Sequence, residues 1–131
     1  MADFEIPKAG EICWRELRTK DLSAALEFYS KLFGWTAEQS KVSEMPYEEI
    51  MHNGTATGGM MGMDDPEWGD LPSHWANYIA VDNADETAEK ITANGGSVQV
   101  PLFDAPGVGR MAMVADPSGA DFAIIQFVAP A

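Results

Sequence analysis

The segment from Trp14 to Trp35 reads W-R-E-L-R-T-K-D-L-S-A-A-L-E-F-Y-S-K-L-F-G-W and joins a strand-like run to a helix pattern. After Asp21, small or apolar residues recur at the spacing of one helix face: Ala25, Phe28, Tyr29, Leu32 and Phe33. Asp21 is a favourable N-cap and Gly34 a favourable C-terminal stop. The segment therefore predicts a short strand followed by a capped helix.

The same pattern occurs a second time. Residues 79–96 read I-A-V-D-N-A-D-E-T-A-E-K-I-T-A-N-G-G, with Asp82 as the predicted N-cap and Gly95 as the predicted stop. Ala84, Ala88 and Ile91 lie on one face of this predicted helix. Because cap and stop are equally far apart in the two segments, we interpret them as an internal duplication.

Each predicted helix is followed by three strand-like runs that are separated by turn residues. In the first half these runs are residues 35–42, 47–51 and 55–63, with an Asn53-Gly54 hairpin turn before the last. In the second half they are residues 97–100, 110–115 and 121–128, with turns around Pro106-Gly107 and at residues 116–119. Each half thus reads βαβββ, and the predicted fold class is α+β.

Length and composition predict one domain. Within it, the duplicated pattern gives repeat one at about residues 10–63, a linker at 64–73 and repeat two at about 74–128. The chain has 131 residues, of which 46% are hydrophobic, so it can bury a core without disulfides. A single cysteine, Cys13, and an N-terminus without secretory features favour a cytoplasmic protein. The net charge of -13 argues against nucleic acid and anionic membranes as partners.

Several motifs give this doubled unit a family resemblance. C-W-R-E-L-R-T-K-D at Cys13–Asp21 is followed by F-Y-S-K-L-F-G-W, and D-P-S-G-A-D-F precedes the last predicted strand. Over about residues 10–128 the chain resembles the vicinal oxygen chelate superfamily, which contains glyoxalase I, bleomycin-resistance proteins and extradiol dioxygenases. The resemblance implies an open, curled β-sheet barrel with helices outside and a ligand cavity inside. It also implies a homodimer.

The resemblance further implies a divalent metal ion held by His, Glu or Gln side chains from four strands. The positions that match this set are occupied by Trp14, Gly59, Ala76 and Ala123. None of these side chains can bind such a metal ion. We therefore expect no metal cofactor at the family's position.

The first predicted strand still carries a candidate site, because residues two apart on a strand share a face. Trp14 and Glu16 would both face the cavity. Glu16 could accept hydrogen bonds from a ligand or act as an acid or base, which makes it the candidate catalytic residue. Alternatively, it pairs with an arginine such as Arg18 or Arg110.

Three further residues complete the predicted ligand-binding set. Tyr78 shares the Ala76 face of its strand and could form an aromatic wall. Met61 would share a face with Gly59 and line the cavity, or else pack in the core. Arg110 could bind an anionic ligand, or else form a surface salt bridge.

Three functions remain open at this point. The first is a metal-free module that binds a small hydrophobic or aromatic molecule. The second is a metal-dependent lyase or dioxygenase with unusual ligands such as His74, His52 or Glu16. The third is a structural or regulatory dimer whose cavity is filled by its own side chains.

Overall fold

The computed structural model describes residues 6–40, 47–63 and 66–127. Within these residues the strands are β1 (Ile12–Thr19), β2 (Thr36–Gln39), β3 (Glu48–His52), β4 (Thr55–Gly62), β5 (His74–Ala80), β6 (Ser97–Ala105), β7 (Gly109–Ala115) and β8 (Asp121–Phe127). The helices are α1 (Leu22–Phe33) and α2 (Ala84–Ala93), and a 3-10 turn covers Pro66–Trp68. The α+β class and the doubled βαβββ order are confirmed. No helix of the described ranges is both long enough and apolar enough to span a membrane.

The chain divides into two compact units, which we call the first-half unit (residues 14–76) and the second-half unit (residues 6–13 with 77–127). In the first-half unit the strand order is β2-β3-β4-β1, and β1 runs parallel to β4. Leu17, Ile50 and Met60 form its buried core, against which α1 packs. Burial of these side chains is the main stabilising contribution of this layer.

The second-half unit repeats the arrangement with strand order β5-β8-β7-β6, and β5 runs parallel to β8. Its core joins Ala84 and Ala88 of α2 to Ala112, Val114 and Ile124 of the sheet. The alanines allow α2 to approach the strands closely. Alternating residues of β7 and β8 therefore face away from α2.

The predicted caps agree with the structure for α1 and differ by one residue for α2. Asp21 accepts a hydrogen bond from the Ala24 amide at 3.0 Å, and Gly34 ends α1 in the left-handed conformation. The N-cap of α2 is Asn83, not Asp82, because the Asn83 side chain accepts the Glu86 amide at 2.9 Å. Both residue types cap well, so the sequence could not choose between neighbours.

Strand β6 is longer than predicted, since it continues past Val100 to Ala105. Pro101 does not stop it because β6 is an edge strand, where a missing amide proton costs no ladder hydrogen bond. The pairing with β7 shifts register between Val98 and Val100 and again between Val100 and Phe103. Of the run predicted at residues 35–42, β2 covers Thr36–Gln39, and positions beyond residue 40 lie outside the described residues.

Candidate ligand-binding site

The first-half sheet has one face covered by α1 and one face turned away from it. Leu17 and Met60 are neighbours on the α1 side. Glu16 pairs with Gly59 and Arg18 with Met61, so these four residues lie on the opposite face. We call this surface, which also carries Trp14, the site face. It brings together three of the residues predicted from the sequence, namely Trp14, Glu16 and Met61.

A buried ion pair occupies the site face. The Arg18 Nε donates to Glu16 Oε2 at 2.7 Å, and the two side chains are only 2% and 1% exposed. The Trp68 ring lies 5.7 Å from the Arg18 guanidinium, a cation–π arrangement. A charge on this face is tolerated because an opposite charge follows two residues later on the same strand. For Glu16 the structure thus shows the pairing with Arg18 that we considered as the alternative.

A hydrogen-bonded aromatic pair lies on the same face. The Trp14 indole Nε1 donates to the Tyr47 hydroxyl at 3.0 Å. Tyr47 lies directly over Gly59: a Cβ at position 59 would overlap the Tyr47 hydroxyl and ring carbons. Glycine is required here because it leaves room for the tyrosine, not because of its backbone conformation.

Sequence reasoning did not identify Tyr47, although a signal for it exists. Glu49 is opposite Gly59 in the antiparallel pairing of β3 with β4. Side chains two apart share a face, so Tyr47 belongs to the Gly59 face once the register of the Asn53-Gly54 hairpin is known. The alternation of this strand therefore indicates Tyr47 as a residue of the site face.

The residues at the family's metal positions do not fit a metal ion. The Trp14 indole N–H donates hydrogen bonds and has no lone pair to offer a metal ion. Ala76 and Ala123 are buried, and their side chains have no atom that could ligate a metal ion. Gly59 is covered by Tyr47. In the described part of the chain, no three His, Cys, Asp or Glu side chains come together as a ligand set.

The two histidines lie at strand ends: His74 begins β5 and His52 ends β3. The His74 Nδ1 is 2.8 Å from the carbonyl oxygen of Pro72, a local contact at the start of β5. His52 is exposed at the end of β3, opposite Thr55.

Tyr78 belongs to the second-half unit, where it pairs with Ala123 and is 6% exposed. Ile124 packs against α2, so Ala123 and Tyr78 lie on the face turned away from that helix. The Cys13 thiol donates to the Tyr78 carbonyl oxygen at 3.5 Å. The position of Tyr78 is thus consistent with an aromatic wall within its own unit.

Arg110 lies on the α2 side of β7, in alternation with Ala112 and Val114. Its guanidinium binds Asp85 of α2 through two hydrogen bonds of 2.8 and 3.0 Å and Asp104 of β6 at 3.2 Å. The hydrogen bonds from Arg110 lower the pKa of the Asp85 carboxyl, and those to both carboxylates raise the pKa of Arg110. The contacts of Arg110 match the surface salt bridge that we considered as the alternative for this residue.

Both sequence and structure comparisons relate this chain to known proteins. Residues 11–124 match the sequence pattern of the Glyoxalase/Bleomycin resistance protein/Dioxygenase superfamily. "Putative glyoxylase CFP32" of Mycobacterium tuberculosis is 36% identical over 121 residues, covering 92% of this chain and 46% of that protein. "Anthracycline biosynthesis protein DnrV" of Streptomyces peucetius is 32% identical over 128 residues, covering 88% and 46%. The chain spans about half the length of these curated relatives.

Among solved structures, methylmalonyl-CoA epimerases have a similar fold. The Streptomyces coelicolor enzyme in complex with 2-nitronate-propionyl-CoA has a TM-score of 0.62 and 15% identity, with 93% of this chain and 100% of that chain covered. The Mycobacterium tuberculosis enzyme has a TM-score of 0.58 and 12% identity, with 98% and 94% covered. At such identities the likeness concerns the fold alone.

Proposed function

The chain belongs to the Glyoxalase/Bleomycin resistance protein/Dioxygenase superfamily, and we propose that it binds a small, planar organic molecule on the site face without a resident metal ion. The observation that carries this proposal is the Trp14–Tyr47 pair over Gly59. Trp14 occupies one of the two first-half positions at which the family resemblance implies metal ligands, and Tyr47 covers Gly59, which occupies the other. Aromatic rings held in this way favour a flat, apolar ligand.

The Glu16–Arg18 pair supplies the polar part of the proposed site. Its two side chains are only 1% and 2% exposed, so they influence a ligand through the electrostatic environment of the site face and not through open hydrogen-bonding positions. Because each charge is already compensated by the other, a neutral ligand can bind beside them without a net charge being buried. We assign Glu16 and Arg18 to the polar floor of the proposed site, and Met61 to an adaptable apolar edge.

The names of the relatives suggest which ligand class to test first. DnrV is named an anthracycline biosynthesis protein. The anthracycline ring system contains a planar anthraquinone. The Streptomyces coelicolor epimerase structure holds 2-nitronate-propionyl-CoA. A planar quinone is the better match to an aromatic pair, so the proposed ligand class is the polycyclic aromatic ketones and quinones.

A titration tests this proposal with an anthraquinone probe, in buffer that contains EDTA. We expect saturable binding that raises the thermal midpoint, since a ligand of the native state stabilises it. Trp14→Leu should weaken binding at least roughly tenfold, because it removes the aromatic face. Trp75→Leu is the matched control, because Trp75 contacts Tyr29 and Trp35 near α1.

Two results would contradict the proposal. One is equal affinity in the wild type and in Trp14→Leu. The other is binding that EDTA abolishes and that a divalent ion restores, because a metal-dependent lyase or dioxygenase with unusual ligands would then be the correct reading.

A further inference from the structure

The dipeptide Asn-Gly occurs twice in this chain, at Asn53-Gly54 and at Asn94-Gly95. In this dipeptide the side-chain amide and the following backbone nitrogen can react with each other, because glycine has no side chain that blocks their approach. The two copies lie in different local structures, so the fold decides which of them reacts. We propose that Asn53 is a site of spontaneous conversion to isoaspartate and that the end of α2 protects Asn94 from the same reaction.

The reaction needs no partner besides water. The backbone nitrogen of Gly54 attacks the Cγ atom of Asn53, and the new N–Cγ bond closes an imide ring. The side-chain nitrogen of Asn53 leaves as ammonia, together with the proton of the Gly54 amide. Water then opens the ring at one of its two carbonyl carbons. Opening at Cγ gives aspartate, and opening at the backbone carbonyl carbon gives isoaspartate, in which the main chain runs through Cγ.

The structure leaves both reacting groups of the first dipeptide accessible. Asn53 and Gly54 form the exposed turn between β3 and β4, and their φ angles are both positive, 51° and 78°. In the described part of the chain, Asn53 is the one residue other than glycine with a positive φ, a conformation that L-residues seldom adopt. Within the described ranges, neither the Asn53 side-chain amide nor the Gly54 backbone amide makes a hydrogen bond.

The space around this turn is open as well. A Cβ placed on Gly54 would have no neighbour within 4 Å, so no packed atom has to move when the Asn53 side chain folds back onto the chain. Exposed turns with few buried contacts open at a small cost in free energy. The reactive geometry at Asn53 therefore needs only a local change of the turn.

Asn94 is held at the end of α2 by hydrogen bonds on both reacting groups. Its side-chain amide donates to the Lys90 carbonyl at 2.7 Å, and the Gly95 amide donates to the Thr92 carbonyl at 3.3 Å. A Cβ on Gly95 would lie 3.5 Å from the Pro117 ring, so this glycine is also packed. Attack requires both hydrogen bonds to break, so Asn94 reacts only when the last turn of α2 opens.

The product alters the turn that aligns β3 with β4. Isoaspartate adds one atom to the backbone and a carboxylate that is ionised at neutral pH. The turn sets the pairing of these strands, which starts at His52 with Thr55. The same hairpin places Tyr47 over Gly59. Conversion at Asn53 should therefore disturb the packing of the site face, a consequence that does not depend on the ligand proposed for it.

Peptide mapping by mass spectrometry tests the inference on the intact chain. The protein is kept folded at a mildly alkaline pH, samples are digested over several weeks, and electron-based fragmentation distinguishes isoaspartate from aspartate. We expect Asn53 to convert at least roughly tenfold faster than Asn94, because the end of α2 must open before Asn94 can react. In urea, where both sites are open, the two asparagines should convert at similar rates.

Asn53→Gly is the matched control. It removes the reactive amide and keeps a turn that accepts positive φ, so the conversion at this turn should disappear while Asn94 stays slow. Equal rates at Asn53 and Asn94 in the folded protein would overturn the inference. A rate ratio that persists in urea would also overturn it, because the neighbouring residues and not the fold would then set the ratio.

The effect on the site face is measured on the converted chains. These chains carry one more negative charge and separate from the others on an anion-exchange column. Their Trp14 indole N–H resonance should be shifted, because Trp14 donates to the Tyr47 hydroxyl. An unchanged resonance would overturn the link between the turn and the site face. None of these readouts involves a ligand, so this inference and the proposed function can fail separately.

Discussion

Breaking the Glu16–Arg18 pair from one side should be far more damaging than replacing both partners. The two side chains are 1% and 2% exposed and joined at 2.7 Å, so Arg18→Met leaves the Glu16 carboxylate buried without the guanidinium. Removing one partner of a buried pair costs about 3–5 kcal/mol, whereas replacing the whole pair by apolar side chains is often neutral. Since small domains have a free energy of unfolding of about 5–15 kcal/mol, the single change removes a large fraction of it.

Urea denaturation of three variants measures the effect. The free energy of unfolding falls by about 2 kcal/mol per molar urea, so Arg18→Met should lower the urea concentration at the unfolding midpoint by roughly 2 M. The double variant Glu16→Leu with Arg18→Met should regain most of that loss. Lys31→Met, which breaks the exposed Glu27–Lys31 pair, should change the free energy of unfolding by less than about 0.5 kcal/mol. A loss below about 1 kcal/mol for Arg18→Met, or a double variant no more stable than Arg18→Met alone, would refute this reasoning.

Two further predictions concern Tyr47 and Asp85. Gly59→Ala should displace Tyr47, shift the NMR resonance of the Trp14 indole N–H and lower the free energy of unfolding by about 1–2 kcal/mol. The same substitution should cost nothing in a Tyr47→Ala background. An unchanged Trp14 resonance would contradict the packing of Tyr47 over Gly59. Arg110 lowers the pKa of the Asp85 carboxyl in the folded state. The ionised Asp85 therefore stabilises the folded protein fully above the ordinary aspartate pKa of about 3.9, and this stabilisation is lost as the pH falls through the lowered pKa. Below about pH 4, the free energy of unfolding should therefore fall less steeply with decreasing pH in Asp85→Asn than in the wild type. Parallel curves of the two proteins would contradict this linkage.

Features encoded by local spacing could be predicted from the sequence. Cap residues and the helical period define α1, and strand alternation places Met61 with Gly59 and Met60 on the helix side. The duplication followed from comparing two such local patterns. These features depend only on residues within one helical turn, or within two positions along a strand. Such residues are close in the linear sequence, so their spacing can be read from it.

Features that depend on packing between strands could not be predicted in this way. The placement of Tyr47 over Gly59 needs the register of β3 against β4, including the irregularity between Ile50 and Met51. The extension of β6 through Pro101 needs its position at the sheet edge. For Arg110, the sequence left ligand and salt bridge equally open because Asp85 is distant in the chain and comes near only through α2.

The most direct test of the central claim is the metal content of the untagged protein. It is measured before and after incubation with nickel, zinc, manganese and ferrous iron. Because Trp14, Gly59, Ala76 and Ala123 offer no ligand atoms, we predict less than about one tenth of an equivalent in every case. An anthraquinone should still bind the same sample. About one equivalent of metal per chain, lost on Glu16→Gln or His74→Ala, would contradict the account and place a metal centre where we infer an aromatic ligand site.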